Sequence, residues 1–297
     1  MNTELHICPL CKCAHANIVH QLDSFGFKVK YYQCTGCGFI FQDAQESQAS
    51  DTDFYTQTYR QVYQASESPT TKDLAIQKQR AEHTIKWLRH KGVSKIKNAL
   101  DIGASAGVFL NAIKESYQCD VSGVEPGNMY RQYAIEYGIR MFSSLEEMKA
   151  SNCAPFTLVS LMHVLEHFPE PLEALKDVRE QLITTDGFLL IEVPNFYAHD
   201  SFELAHMACY TRHSLRQMIK QAGYKLLAIR SHGFPRSKLL KLYLTVLATP
   251  STQDNKSRLV RPDHCVSLKR KLSLIYRRVA QKLLPQLAWL PLKEDQV

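Results

Sequence analysis

The residues most able to do chemistry sit near the start of the chain. Cys8-Pro9-Leu10-Cys11 and Cys34-Thr35-Gly36-Cys37-Gly38 are two Cys-x-x-Cys pairs separated by 22 residues. Four thiolates at this spacing suit tetrahedral Zn²⁺, and Gly36 and Gly38 fit the tight turns that aim backbone N–H groups at sulfur. Structural zinc contributes roughly 10–16 kcal/mol of apparent binding free energy, enough to order a lobe with little core of its own. Cys13, His6 and His15 are substitutes for Cys11 or spectators. Cys119, Cys153, Cys209 and Cys265 stand singly and read as small apolar residues.

A second group begins at Leu100-Asp101-Ile102-Gly103-Ala104-Ser105-Ala106-Gly107, where an apolar strand ends in small residues and a helix follows. Small residues let backbone approach a ligand closely, and a helix start offers N–H groups to an anion. The next strand, Val121-Ser122-Gly123-Val124-Glu125, ends in a carboxylate 24 residues after Asp101. A carboxylate there can accept hydrogen bonds from both ribose hydroxyls of a nucleoside cofactor. A dinucleotide would call for Gly-x-Gly-x-x-Gly, and after Gly103 the second and third glycines of that fingerprint are missing.

These groups need elements to hold them. Ala99–Gly103, Val121–Glu125, Ile139–Phe142, Phe156–Met162, Phe188–Val193 and Lys225–Arg230 are short apolar runs, hence strands. Amphipathic helices at Val108–Tyr117, Met129–Tyr137, Glu170–Leu182 and Ser214–Ala222 alternate with them, which specifies an α/β fold with helices on both faces of a parallel sheet. Lys72–His90 reads as a helix stopped by Gly92, and Phe54, Tyr55, Tyr59 and Tyr63 recur at the spacing of a short helix with an aromatic face. Leu239–Ala248 fits a closing edge strand or a helix equally well. Four regions follow: 1–42 a zinc ribbon, 43–95 a linker and helical cover, 96–231 the core, and 232–297 a basic C-terminal extension.

Charge follows the same division. The 297 residues carry a formal charge of +7, yet residues 231–297 hold 13 Lys/Arg and four Asp/Glu, so everything before them is close to neutral. Such a body disfavours a nucleic-acid partner, which needs cations over its docking face. The extension has the pattern of a basic amphipathic helix over 266–291, either packed on the body or resting on an anionic membrane surface. No run reaches the roughly 18 apolar residues of a membrane span, and Met1-Asn2-Thr3-Glu4 lacks the regions of a signal peptide. The expectation is a cytoplasmic protein with reduced thiols.

The loop resembles motif I of the class I S-adenosylmethionine-dependent methyltransferases, Asp-x-Gly-x-Gly-x-Gly, with Asp101, Gly103 and Gly107 matching and Ser105 in place of the middle glycine. The resemblance continues through Glu125, through Leu161-Met162-His163-Val164-Leu165-Glu166-His167, and through Asp186-Gly187 and Ala222-Gly223 before the last two strands. It departs at Thr157, where the family commonly has Asp. It implies a Rossmann-like seven-stranded methyltransferase sheet with S-adenosylmethionine across the ends of the first two strands. Gly103, Ala104, Ser105 and Gly107 would then border the methionine part, Asp101 its amino group, Glu125 the ribose, and Met162 and His163 the sulfonium.

With a four-cysteine zinc ribbon in front, the chain is similar to the sugar C-methyltransferases and their relatives. That group commonly shows His-Glu-His-Leu-x-Tyr-Phe-Ser after the fifth strand. The corresponding Leu204-Ala205-His206-Met207-Ala208-Cys209-Tyr210-Thr211 keeps only the second His, which favours oxygen methylation or a different base. The candidates for the base are His206 first, then His163, Glu166, His167, Glu203 and Tyr210. The expected activity is methylation of a small-molecule acceptor, a sugar or other hydroxyl-bearing intermediate. The alternatives are a zinc-ribbon RNA methyltransferase and a zinc-dependent binding protein with a degenerate core. The sequence leaves the oligomeric state open.

Overall fold

The computed structural model describes residues 5–24, 27–43, 68–151, 153, 155–252 and 259–291. The aromatic segment with Phe54, Tyr55, Tyr59 and Tyr63 lies outside the described residues. The main sheet is built from β4 (Asn98–Ile102), β5 (Asp120–Val124), β6 (Arg140–Phe142), β7 (Phe156–Met162), β8 (Ile183–Pro194), β10 (Tyr224–His232) and β11 (Tyr243–Pro250). Its spatial order is β10-β11-β8-β7-β4-β5-β6. The five strands from β8 to β6 run parallel, and β11 enters antiparallel between β8 and β10. This is the seven-stranded sheet expected from the sequence. Within Leu239–Ala248 the strand begins at Tyr243, and it is an interior strand rather than an edge strand or a helix, because Leu244, Val246 and Leu247, fully buried, need cover on both faces.

Alternation along the strands divides the core in two. Leu100, Ile102, Val159, Leu161, Leu189 and Ile191 belong to one apolar cluster, while Ala99, Leu158 and Leu190, their neighbours in sequence, belong to another. A period of two sends successive side chains to opposite faces, so helices are needed on both. Each fully buried Leu or Ile contributes about 1.5–3 kcal/mol relative to exposure.

The first cluster is closed by α5 (Pro171–Asp177), which runs into a π-helical turn, and by α6 (Arg212–Gln221), through Leu172, Leu175, Leu215 and Met218. The second is closed by α1 (Thr71–His90) and α2 (Val108–Tyr117), through Ala81, Ile85, Leu88, Leu110 and Ile113. Thr70 caps α1 by accepting the Asp73 N–H at 3.2 Å. Thr211 and Ser214 form a capping box at the start of α6. Helices α3 (Asn128–Glu136) and α4 (Leu145–Ala150) complete the β5–β6 side.

A second, antiparallel sheet is made of β1 (Ala16–Ser24), β2 (Phe27–Cys34), β3 (Ile40–Phe41) and β9 (Ala208–Cys209). Its last strand comes from the segment after β8, so the cysteine-bearing region is stitched into the core region. Cys8, Cys34, Phe39 and Phe41 share one apolar cluster with β4, β7 and β8.

Thr157, at the entry of β7, accepts the Lys97 N–H at 2.9 Å and donates to the Asn98 carbonyl at 2.8 Å. The hydroxyl ties β7 to β4 at the sheet end opposite the carboxyl termini of the strands. Helix α7 (Val266–Leu283) and the short α8 (Pro285–Ala288) close the described chain. Gly38 (φ +77°) lets the segment leading into α7 pass against the cysteine region, where Asp263 N–H donates to the Cys37 carbonyl at 2.9 Å.

Candidate active site and metal centre

A cavity of about 630 Å³ opens at the carboxyl ends of β4, β5 and β7. One wall is the loop after β4. Gly103 and Ala104 both donate their N–H to the Val124 carbonyl, at 2.8 and 2.9 Å, which draws this loop to the end of β5. Gly103 has φ +75°, and a Cβ there would collide with the Val164 side chain, so glycine is required. Ser105 occupies the same left-handed region at φ 50° without being glycine.

Glu125 fixes the second wall. Its Oε2 accepts the Ser105 N–H at 2.9 Å and its Oε1 the Gly127 N–H at 2.7 Å, with the side chain only 4% exposed. A carboxylate has about four acceptor positions, enough to serve these two amides and ribose hydroxyls as well. Asp101 also lines the cavity and accepts a hydrogen bond from Ser160 Oγ at 2.6 Å. Burial pushes its pKa up to about 7; the Ser160 bond opposes the shift and the nearby Glu125 charge adds to it. Ala104, Ser105, Met162 and His163 line the cavity, whereas Gly107 turns the chain into α2 with φ +71°.

Of the candidate bases, His163 and His167 are on the cavity wall, and Glu166, His206 and Tyr210 are not among its lining residues. His163 sits at φ 60°, with Nε2 3.2 Å from Glu192 Oε1 and Nδ1 3.6 Å from Glu166 Oε1. Its backbone N–H donates to the Glu192 carbonyl at 2.7 Å. Glu166 is buried, which would raise its pKa, but the His163 bond and the His167 and His206 rings prevail and hold it at about 2. His206, 6% exposed, is pushed down to about 3 by burial first and by His167 second. Burial, with the charges of Glu166 and Asp200, lifts Glu203 to about 7. Tyr210 is buried, and its hydroxyl donates to the Leu165 carbonyl at 3.4 Å.

The sequence reading missed Glu192 and Arg80. Glu192 is fully buried and gathers His163, His232 Nε2 (3.1 Å), Thr245 Oγ1 (3.0 Å) and Arg80 Nε (3.3 Å). Burial alone would raise its pKa, yet the two histidines and then Arg80 outweigh it and hold it well below the usual range. The signal was present: Glu192 is the lone charge in the apolar run Phe188–Val193. Arg80 likewise lies on the side of α1 that carries Gln77 and Ala81 to the cavity.

The four cysteines converge as expected. Cys8 Sγ lies 3.7 Å from Cys37 Sγ, and Cys11 Sγ lies 3.5 Å from Cys34 Sγ; all four sulfurs are within 4.8 Å of one another. A tetrahedron with Zn–S bonds of about 2.3 Å has edges of about 3.8 Å, so the cluster fits Zn²⁺. Hydrogen bonds from the neighbouring thiols push Cys8 far up, while Cys11 is drawn down to about 7 chiefly by Cys8. Cys13 Sγ instead faces the His15 carbonyl at 3.8 Å, and His6 pairs with Asp43 at 2.8 Å and stacks on Tyr32. Cys13, His6 and His15 are therefore outside the cluster.

The cysteine-bearing sheet also shapes the far side of the site. The Tyr31 hydroxyl accepts the Glu203 N–H at 3.0 Å and donates to the His206 carbonyl at 2.9 Å. Gln42 Nε2 donates to the Leu204 carbonyl at 3.0 Å, and β3 pairs with β9. The loop that carries Glu203 and His206 is thus held by residues next to the cysteines.

Residues 74–229, just over half of the chain, match the methyltransferase domain family. The chain belongs to that family. Among curated proteins it is similar to the ubiquinone biosynthesis O-methyltransferase of Haemophilus ducreyi, 29% identical over 110 residues that cover 33% of this chain and 46% of that one. The corresponding protein of Vibrio parahaemolyticus is 29% identical over 87 residues, 27% of this chain and 37% of that one. The match spans less than half the length of these curated relatives.

Solved structures with a similar fold include magnesium protoporphyrin IX methyltransferase of Synechocystis with bound S-adenosylmethionine (15% identity, 67% of this chain, 94% of that chain, TM-score 0.47). Another is an S-adenosylmethionine-dependent methyltransferase of Clostridium acetobutylicum (9% identity, 59% of this chain, 92% of that chain, TM-score 0.46). The methyltransferase assignment rests on the family match and on the seven-stranded order above. Among the described residues, no helix is long and apolar enough to cross a membrane.

Proposed function

We propose that this methyltransferase transfers the methyl group of S-adenosylmethionine to a hydroxyl oxygen of a small molecule, a sugar or another hydroxyl-bearing intermediate. The observation that carries the reading is the cavity itself. Its cofactor side is formed by the Gly103–Ser105 loop and Glu125, and its other side by His163 and His167. Bound there, the cofactor supplies a methyl group on positively charged sulfur. Glu125 would hold the ribose end, Asp101 would receive the amino group, and the turn at Gly103 would let the backbone come close to the methionine part. His163 and His167 are the side chains that this geometry offers to the acceptor, to take the hydroxyl proton as the carbon–oxygen bond forms, the sulfur–methyl bond breaks and S-adenosylhomocysteine leaves.

Positioning of the acceptor in line with the methyl group supplies up to about 7–11 kcal/mol of the barrier reduction. His163 is suited to it, since buried carboxylates on both sides fix its ring. Two further facts support an oxygen acceptor: the curated relatives are named as O-methyltransferases, and the His-Glu pair of the carbon-methylating pattern is replaced by Leu204-Ala205. The four cysteines, in the same reading, hold a structural Zn²⁺.

The test is calorimetric titration of zinc-loaded protein with S-adenosylhomocysteine, then incubation of S-adenosylmethionine with a panel of nucleotide sugars, glycans and phenols. The expected result is micromolar cofactor binding and an acceptor that gains one methyl group on oxygen. Absence of cofactor binding in folded, zinc-loaded protein would overturn the reading and favour a zinc-dependent binding protein.

A further inference from the structure

Beside the cavity, the side chains of Glu166, His167 and His206 converge. Glu166 is 1% exposed, and its Oε2 has no hydrogen-bond partner. A buried polar atom left in this state carries its full desolvation cost, larger still when charged. His167 Nδ1 lies 2.8 Å from the Ala205 carbonyl and His206 Nδ1 3.2 Å from the Ser201 carbonyl. In a neutral imidazole each bond places the proton on Nδ1 and the lone pair on Nε2. Glu166, His167 and His206 offer ligand atoms within 4.8 Å of one another, and Glu203 Oε2 adds a second carboxylate 3.7 Å from His206 Nε2.

We propose that Glu166, His167 and His206 bind a divalent cation beside the cofactor cavity, separate from the four-cysteine site. Carboxylate and imidazole donors select Zn²⁺, Mn²⁺, Fe²⁺ or Co²⁺, and three protein ligands leave positions open for another oxygen. The carbonyl partners of the two rings are the outer contacts that orient metal-binding histidines. Because His167 lines the cavity, an acceptor oxygen held there would be the candidate for the next ligand. That last role rests on the methyl-transfer reading; binding of the cation does not.

The experiment uses full-length protein carrying one Zn²⁺ in the cysteine site, titrated with Co²⁺ or Mn²⁺. One further equivalent is expected, and for Co²⁺ its absorption should lack thiolate charge-transfer bands. His206→Gln and Glu166→Gln should each lose that equivalent while retaining the first. S-adenosylhomocysteine binding and circular dichroism serve as the controls for folding. A wild-type protein that takes up no second equivalent, or a second equivalent that both variants keep, overturns the site. A second equivalent without any methyl transfer would leave the cation site standing and remove the activity assigned above.

A second surface stands on separate observations. Leu268, Leu272, Ile275, Tyr276, Val279 and Leu283 of α7 are between 48% and 69% exposed. At about 100° per residue they share one arc of the helix, and the exposed Lys271, Arg278 and Lys282 border it on one side. The opposite face is anchored. Val266 and Ala280 are buried, Arg270 donates to the Phe196 carbonyl, and Arg277 pairs with Asp200 at 2.7 Å.

The geometry points to docking of α7 on an anionic lipid bilayer, its apolar arc in the interface and the bordering cations at the headgroups. Val266–Leu283 contains no Asp or Glu. A second copy packed on the same face would therefore bring like charges together. In flotation with phosphatidylglycerol-containing vesicles, full-length protein should bind, bind less as salt rises, and bind poorly to pure phosphatidylcholine. Leu272→Glu with Val279→Glu, both at exposed positions, should lower vesicle binding at least tenfold. No binding to anionic vesicles overturns the proposal. So does a concentration-dependent dimer, abolished by the same pair of substitutions, in protein that does not float.

Discussion

Glu125, at the end of β5, accepts the backbone N–H of Ser105, in the loop after β4, at 2.9 Å. One buried carboxylate thereby fixes the two strand ends between which we propose that the cofactor lies, and its second oxygen fixes Gly127. Glu125→Ala removes this link as well as the proposed ribose contact. With charge-assisted hydrogen bonds worth about 1.5–3 kcal/mol each, the dissociation constant for S-adenosylhomocysteine should rise by at least tenfold. Glu125→Gln, which keeps acceptor capacity on one oxygen only, should fall between wild type and Ala. Calorimetric titration of the three proteins checks the order.

Ser105 holds a left-handed conformation, φ 50°, at the position where the resembling motif has glycine. An L-residue in that region costs about 1–2 kcal/mol. Ser105→Gly should therefore stabilise the protein by up to about 1 kcal/mol, since the flexibility of glycine in the unfolded chain offsets part of the gain. Ser105→Val, β-branched, should destabilise it by more than that. Urea unfolding midpoints of the three proteins decide the matter.

The pKa of Asp101, raised to about 7 chiefly by burial, gives cofactor binding a pH dependence of defined sign. Below pH 7 the free protein keeps the proton, and an incoming ammonium group must expel it. Affinity for S-adenosylhomocysteine should therefore rise about tenfold from pH 6 to pH 8 and level off above that. Proton release on binding should be largest near pH 6. Asp101→Asn should bind weakly at every pH and lose the dependence. Titrations in buffers of different ionisation enthalpy measure both quantities.

How legible these features are in the sequence follows from how local their causes are. The parallel strands, the loop from Asp101 to Gly107 and the four cysteines are visible because hydrophobic periodicity, small residues and paired thiols are themselves local signals. Two assignments need partners far along the chain. Leu239–Ala248 is ambiguous between edge strand and helix until the pairing of Tyr243–Pro250 with β8 and β10 determines it. His206 occupies a sequence position where the substrate is expected, yet the loop held by Tyr31 and Gln42 buries it away from the cavity lining. Arg80 becomes a cavity residue only through packing of α1 over the strand ends. Glu192 is the instructive omission, because a lone carboxylate inside a buried strand has to find cations, and His163, His232 and Arg80 supply them.

The coupling between the cysteine cluster and the acceptor side supplies the last expected outcome. Tyr31 and Gln42, on the sheet that the cysteines brace, carry the backbone of Glu203, Leu204 and His206, and β3 pairs with β9 just beyond them. The proposed cofactor wall is tied instead by the Gly103 N–H on the Val124 carbonyl and by the Ser105 and Gly127 N–H groups on Glu125. Cys34→Ser, or stripping of the proposed zinc with a chelator, should therefore loosen residues 201–211 together with β1, β2 and β3 while leaving the proposed cofactor wall in place. Amide exchange should accelerate more than tenfold in those segments and little in β4 and β5. The affinity for S-adenosylhomocysteine should change by less than about threefold, or under 1 kcal/mol. Methyl transfer to an identified acceptor should fall much further. Equal loss of protection across both sheets would show instead that the cysteine cluster stabilises the whole molecule as one cooperative unit, with no selective hold on the acceptor side.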